Sequence, residues 1–445
     1  MAQRNLDRGT ELRQENRREL LAGATVFMTM AYIIIVNPVI LSAAGMPLGP
    51  AMVATIVTAG VATLLCGIVA KRPFGMAPYM GENAFFAFSV VIALGITWNV
   101  ALGAVFIAGL LFLAFSLSGL RRLMANAIPP FLSSVWGASI GLFLMFIGLA
   151  NAGISVPGIP GAPVDIGVIT SPEVIVVVIG TIVTLFLYLK KVVASVLVGT
   201  VVTLALGFLV GALGYGTALP TSVPSLIGPL PDWGEVFLQM DVVGALNLTV
   251  LPIILVLFLM DFMDTTGTIL GLSAKAGFLD KEGRLPKDDR SIQVDAVSTV
   301  LSAIFGSSTT GTFVESATGI EQGGRTGKTA IVAGLLFLAM LALTPFFSGI
   351  PVGFLGLAAA PALVVVGISM TSTLKNIDFE DITQVVPAVL TIAFMLFTFN
   401  IGFGMSIGLI SYPLVMTVSG KRKELSKVSW ALFGLGLLLF VAYPY

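Results

Sequence analysis

Histidine is absent from all 445 residues, and cysteine occurs once. The first absence removes the commonest metal ligand and the ordinary near-neutral proton carrier. Any proton chemistry then falls to carboxylates, and no metal site or cofactor is expected. The single Cys66, in ATLLCGIVA, excludes a disulfide within the chain. It reads as a small apolar packing residue, since thiol reactivity requires an exposed, electropositive setting. Charge is scarce too: charged residues make up 10% of the chain, against about 25% in soluble domains. Apolar residues fill the remainder, at 57% with a mean hydropathy of +1.02. The N-terminal MAQRNLDRGTELRQENRREL is charged and lacks a short apolar core with a cleavage site. No signal peptide is therefore expected, and the first span should itself direct insertion.

Apolar runs of about 20 residues, enough for a helix to cross a bilayer, recur from Leu20 to the C-terminus. The fold class is an all-α polytopic membrane protein. Breaks at Gly, Pro and charge divide the chain into about fourteen spans, near 20–43, 50–70, 76–94, 98–119, 131–150, 172–189, 192–213, 245–273, 291–306, 307–324, 326–346, 350–373, 383–400 and 402–419. With the N-terminus in the cytoplasm and strict alternation, all 23 Lys and Arg fall on the cytoplasmic side, as the positive-inside rule requires. A further apolar stretch, 428–443, is either another span or a helix lying in the interface.

An internal repeat accompanies this count. KVVASVLVGTVVTLALG (191–207) resembles IGFGMSIGLISYPLVMTVSG (401–420), and MGENAFFAF (80–88) can be laid on FVESATGIE (313–321). Both pairs are seven spans apart. Seven is odd, so the second copy is inverted relative to the first, as in secondary transporters whose ligand site lies where broken helices of the two halves meet. RPFGMAPYMGENAFFAF (72–88) and GSSTTGTFVESATG (306–319) fit that pattern. Each begins with Gly, Pro or hydroxyl residues unsuited to a continuous helix and becomes helix-compatible near an acid. A short extended piece followed by a half-helix is expected in spans 3 and 10, since irregular backbone at membrane depth survives where protein or water surrounds it.

Four carboxylates fall within expected spans: Glu82, Glu315, and Asp261 with Asp264 in LFLMDFMDTTGTILG. A charge at the bilayer centre costs at least about 2.5–3.5 kcal/mol, and no Lys or Arg lies inside a span to neutralise these acids. They should face a hydrated site, with Glu315, Asp264 and Glu82 the candidates for proton coupling. Asp295, near the inner end of its span, reads as a capping or packing residue. Phe85, Phe86 and Phe313 flank the polar motifs, as packing or as a surface on which a flat ring can stack.

LLAGATVFMTMAYIIIVNPVILSAAGMP (20–47), GENAFFAF (81–88), DFMDTTGT (261–268) and GTFVESATGIEQGGRTG (311–327) together carry a resemblance. From residue 15 to 420 the chain resembles the nucleobase–ascorbate transporter (xanthine/uracil permease) superfamily, and within it the AzgA-like hypoxanthine/guanine/adenine permeases. The resemblance implies a seven-plus-seven inverted repeat with a uracil-permease-like core and gate. Residues 1–19 are a cytoplasmic segment, 20–119 and 245–346 the two parts of the core, 131–213 and 350–419 the two parts of the gate, and 420–445 a basic turn with the last apolar helix. It implies a purine nucleobase carried by symport with a proton or with sodium, in the cell membrane, as a monomer or homodimer, with no nucleic-acid partner and no enzymatic activity. By motif match Asp264 and Glu315 contact the base, with Asp261 close by. Asn83 falls on the third-span asparagine of the AzgA-like branch, and the backbone around Ala84 and Val314 falls on the strand-to-helix junctions. Phe85 and Phe313 stand beside them.

Two departures are visible. Glu82 replaces a usually apolar residue and Tyr79 a usual glycine, while Thr268 stands where uracil carriers place histidine. Within the same fold, a xanthine/uracil or small-anion carrier is the alternative. Of another class, an intramembrane aspartyl protease would need Tyr-Asp and Gly-x-Gly-Asp, whereas Asp261 follows Met260 and Asp264 follows Met263.

Overall fold

The computed structural model describes residues 2–118, 129–160, 162–281, 284–286 and 288–442. Arg121, Arg122 and Lys287, counted above among the cytoplasmic charges, lie outside them. Among the described residues, ten helices are long and apolar enough to cross a membrane, and four shorter apolar helices accompany them. The protein is a polytopic, all-helical membrane protein.

The first span is two helices, α1 (Ala2–Met30) and α2 (Ile33–Ala43), broken at Ala31–Tyr32. Helix α1 runs well ahead of the apolar stretch, and its inner part is held by Glu19. This buried carboxylate accepts from the backbone N–H groups of Arg325 and Thr326 (3.0 and 3.1 Å) and from the Thr329 hydroxyl (2.5 Å). Helix α3 (Leu48–Leu65) ends in a π-helical turn over Cys66–Ala70. Then come β1 (Met76–Pro78), α4 (Met80–Ala84) with a π-helical continuation through Ala93, α5 (Trp98–Ser118) and α6 (Pro130–Asn151). The loop expected at 151–171 contains an antiparallel hairpin, β2 (Ser155–Pro157) with β3 (Val164–Ile166). Helices α7 (Pro172–Leu189) and α8 (Ser195–Ala212) complete the first half.

The second half shows where apolarity alone misplaces boundaries. The span expected from residue 245 begins instead at Leu251. Asp241 caps a separate short helix, α9 (Val242–Ala245), by accepting from the Gly244 N–H at 2.8 Å. Pro252 then sits in the first turn of α10 (Leu251–Ala276), where its missing N–H costs nothing. Next are α11 (Ser291–Phe305), β4 (Thr310–Thr312), α12 (Ser316–Glu321), α13 (Gly327–Ala339), α14 (Thr344–Ser348), α15 (Val352–Thr371), α16 (Ile382–Phe397), α17 (Ile401–Val418) and α18 (Lys427–Ala442). The segment expected as one span over 326–346 is three pieces, with a 3-10 turn at Met340–Leu343 and Pro345 opening the short α14.

The helices pack in two groups. In one, α1 lies on α12 and α13, α3 on α2, α11 and α13, and α5 on α10 and α11. In the other, α6 lies on α15 and α16, α15 on α7 and α8, and α17 on α16 and α18. Helices α2 and α15 touch across the boundary, as do α4 and α6.

The two extended pieces meet in the middle of the first group. Strands β1 and β4 pair antiparallel, with Met76 opposite Thr312, Ala77 opposite Gly311 and Pro78 opposite Thr310. The pairing continues at both ends: Tyr79 N–H donates to the Thr309 carbonyl (3.0 Å) and Phe313 N–H to the Gly75 carbonyl (2.9 Å). Prolines 73 and 78 deny the first segment a helix, and the run of Gly, Ser and Thr does so in the second. Gly311 is required, because a Cβ there would lie 1.9 Å from the Tyr79 ring.

Asp295 anchors this pair. Its Oδ1 accepts from the Thr265 hydroxyl (2.7 Å), and its Oδ2 accepts from the Thr312 N–H (2.8 Å) and hydroxyl (2.7 Å). The expected packing residue thus joins α10, α11 and β4. Asp295→Ala would strand three buried donors, each costing about 1–3 kcal/mol. The thermal midpoint of the purified protein should fall sharply, while Asp295→Asn, which keeps one carbonyl acceptor, should fall less. Equal midpoints for wild type and Asp295→Ala would remove the anchor.

Candidate functional site

Beyond the strand pair, α4 and α12 begin, and α10 passes beside them. Between these elements and the second helix group lies a cavity of about 360 Å³, within the range of small-molecule sites, about 300–1,000 Å³. One wall holds Tyr32, Tyr79, Glu82, Asp264, Thr268, Thr312, Phe313, Val314 and Glu315. The opposite wall, from α6, α15 and the turn after α15, holds Ser133, Ser134, Gly137, Val366, Ser369, Met370, Ser372 and Thr373. Three carboxylates therefore share one cavity, and no lining residue is Lys or Arg.

Of the residues singled out by sequence, Asp264, Glu315, Glu82, Phe313 and Val314 line this cavity. Asn83, Ala84, Phe85 and Asp261 do not. Helical geometry separates them, because neighbouring residues on α4 point about 100° apart. With Glu82 toward the cavity, Asn83 faces inward. There its amide donates to the Asn37 side-chain oxygen, and its own oxygen accepts from the Ser308 hydroxyl. Asn37 in turn donates to Thr55 (2.8 Å) and Ser307 (3.2 Å). Asn83 thus belongs to a buried polar network binding α2, α3 and α4 to the approach of β4. Ala84 is buried, and Phe85 packs at the start of α17, where a Cβ on Gly402 would meet its ring at 2.7 Å. Asp261 is also turned inward, its Oδ2 accepting from the Thr299 hydroxyl of α11 at 2.8 Å.

Two tyrosines complete the lining on this side. Tyr32 sits at the break between α1 and α2, fully inside the protein. Its hydroxyl donates to Glu315 Oε1 at 2.8 Å. Tyr79 donates to the Thr312 carbonyl at 3.0 Å, and its ring is parallel to that of Phe313, with centroids 6.0 Å apart and 8° between planes. The two rings form an aromatic wall beside the acids. The departure at Tyr79 marked that position, whereas the role of Tyr32 depends on two distant spans meeting.

This arrangement offers a flat ligand an aromatic surface and several carboxylate acceptors. It presents no cation to hold an anion. Strand–helix segments meet here between two helix groups, an arrangement that suits a membrane transporter. The chain belongs to the xanthine/uracil permease family, whose Permease family profile matches residues 17–441. It is 41% identical to the putative permease MJ0326 of Methanocaldococcus jannaschii, over 98% of this chain and 96% of that one. It is 38% identical to the guanine/hypoxanthine permease PbuG of Bacillus subtilis (97% and 98% covered) and 37% identical to the adenine permease AdeP of Escherichia coli (95% and 92% covered). Among solved structures, the transmembrane domain of the cyanobacterial bicarbonate transporter BicA matches with a TM-score of 0.63 at 17% identity, covering 89% of this chain and 97% of that one. That likeness concerns the fold alone. The relatives are permeases, and the chain is a transporter rather than an enzyme.

The Tyr32–Glu315 contact makes a direct prediction. A hydrogen bond to a charged group contributes about 1.5–3 kcal/mol, so Tyr32→Phe and Glu315→Gln should each change the thermal midpoint. The double variant should change it by clearly less than the sum. Strict additivity would show that the two side chains do not interact.

Proposed function

We propose that this protein imports purine nucleobases by symport with protons, through an elevator-like motion of a core past a gate. The observation that carries the reading is the cavity itself: three carboxylates and an aromatic wall gathered where two strand–helix segments meet, with no cation among the lining residues. A purine is flat and carries ring N–H donors beside carbonyl or amino groups. Asp264 can accept from such an edge in a charge-assisted bond, and Phe313 and Tyr79 can contact its face. The backbone around Val314 and the Glu315 carboxylate complete the contacts. The naming of relatives as guanine/hypoxanthine and adenine permeases supports the same substrate class.

With no histidine in the chain, proton loading falls to Glu315, Asp264 and Glu82, which all reach the cavity. The N-terminus lies on the cytoplasmic side of the cell membrane, a reading supported by the distribution of Lys and Arg along the chain. Residues 20–119 and 245–346 form the core and 131–213 and 350–419 the gate, related as seven-plus-seven inverted spans. The acids of the cavity all come from the core, while the gate contributes hydroxyl, glycine and apolar residues. A smooth, uncharged gate face lets the core slide as a rigid body and expose the site alternately. An anion carrier of the same fold is disfavoured, because the cavity presents acids where an anion needs a cation.

Labelled hypoxanthine uptake into proteoliposomes, competed by a panel of bases, tests the substrate class. Asp264→Ala should abolish specific binding in a variant that still inserts and folds, whereas Asp261→Ala should be milder. Wild-type affinity in well-folded Asp264→Ala would end that assignment. Glu315→Gln keeps a hydrogen-bonding face but cannot titrate. It should retain exchange of labelled for unlabelled base while losing accumulation driven by a pH gradient alone. Uphill accumulation by Glu315→Gln would move the coupling role to another acid.

A further inference from the structure

Glu82 occupies an unusual position among the cavity acids. Both of its carboxylate oxygens are buried and neither accepts from a protein donor, the side chain within hydrogen-bonding reach being the Asp264 carboxylate, and the residue lines the cavity at 1% exposed. The charged groups acting on it most strongly are Asp264 and Asp261, both acids. Burying an ionisable group without a partner is costly, and a buried polar group in a native protein normally has one. The protein supplies no donor here, and the residue stands on the cavity wall beside a second acid.

Asp264 lines the same wall and acts on Glu82 directly. Together they present adjacent acceptors, which require a ligand edge with adjacent donors. The bases differ sharply on this point. Guanine carries a ring N1–H beside an exocyclic 2-amino group. Hypoxanthine carries the N1–H, but only a carbon-bound hydrogen at position 2. Xanthine would turn a carbonyl oxygen at position 2 toward the acids, and adenine would turn the lone pair of ring N1. Thr268 and Ser369 line the cavity as well, and their hydroxyls can donate to a carbonyl at position 6.

We propose that Glu82 is a specificity-determining residue that accepts from the exocyclic amine of a 2-aminopurine while Asp264 accepts from its ring N–H, so that this transporter prefers guanine to hypoxanthine, xanthine and adenine. The proposal rests on the purine reading above and refines it. A site built to hydrogen-bond a ligand amine rejects the analogue lacking it far better than an apolar pocket could, because its acceptors are then left unpaired.

The test is equilibrium competition on the purified protein at one fixed pH, which needs no pH gradient. Labelled hypoxanthine is displaced by unlabelled guanine, hypoxanthine, xanthine and adenine from wild type, Glu82→Gln and Glu82→Met. Wild type should bind guanine at least about tenfold more tightly than hypoxanthine. Glu82→Met should lose roughly ten- to hundredfold in guanine affinity, with hypoxanthine changed by less than about threefold. Retained hypoxanthine binding also reports that the variant is folded. Glu82→Gln keeps one carbonyl acceptor and should fall between the two. A guanine-to-hypoxanthine ratio unchanged in both variants overturns the role of Glu82 while leaving purine transport intact. A wild-type preference for adenine overturns it as well. Failure of every purine to bind wild type would remove the substrate class and this proposal together.

Discussion

The rest of the site depends on how backbone that is not helical is satisfied deep inside the protein. An unpaired N–H or C=O in hydrocarbon costs several kcal/mol, so neither 76–78 nor 310–312 could be extended alone. Each is the other's partner, residue for residue from Met76 opposite Thr312 to Pro78 opposite Thr310. Asp295 closes the arrangement by accepting from Thr312 and Thr265. The strands end where α4 and α12 begin, and this places Glu82 and Glu315 beside the same cavity.

Around this pair the polar residues separate into two kinds. Some hold the frame: Asn37, Thr55, Asn83, Ser307 and Ser308 form one buried network, and Asp295, Thr265 and Thr312 another. Others face the cavity, namely Glu82, Asp264 and Glu315. A carboxylate in hydrocarbon demands a reason for being there, and the two kinds give different ones. Asp295 is surrounded by donors, whereas both oxygens of Glu82 have none. Tyr32 joins frame to cavity, since the first span breaks at that residue and its hydroxyl reaches Glu315.

A shared fold does not by itself carry a shared ligand. The transmembrane domain of a bicarbonate transporter has a similar course of chain at 17% identity. Function resides in the side chains placed on such a scaffold. In this chain the cavity acids come from α4, the turn before α12, and α10.

The sequence by itself determined the class of protein. Apolar runs, the scarcity of charge and the absence of histidine are additive properties of composition and spacing, and a bilayer reads them directly as helices. The two irregular segments were legible as well, because proline at 73 and 78 and the Gly-Ser-Thr run at 306–312 oppose helix locally. Helix starts such as Leu251 and breaks such as 340–343 were less so, since a cap like Asp241 or a bend at Pro345 interrupts an apolar run without changing its hydropathy. The tertiary structure alone decided which polar residues share the cavity. Glu82 and Asn83 are neighbours in sequence with equal claims, and a turn of about 100° on the helix sends one to the cavity and the other to Asn37. The same holds for Asp261 and Asp264, which lie on one stretch of helix but face α11 and the cavity. The Tyr32–Glu315 contact joins side chains 283 positions apart, and such a separation has no local signature because it is set by packing between spans.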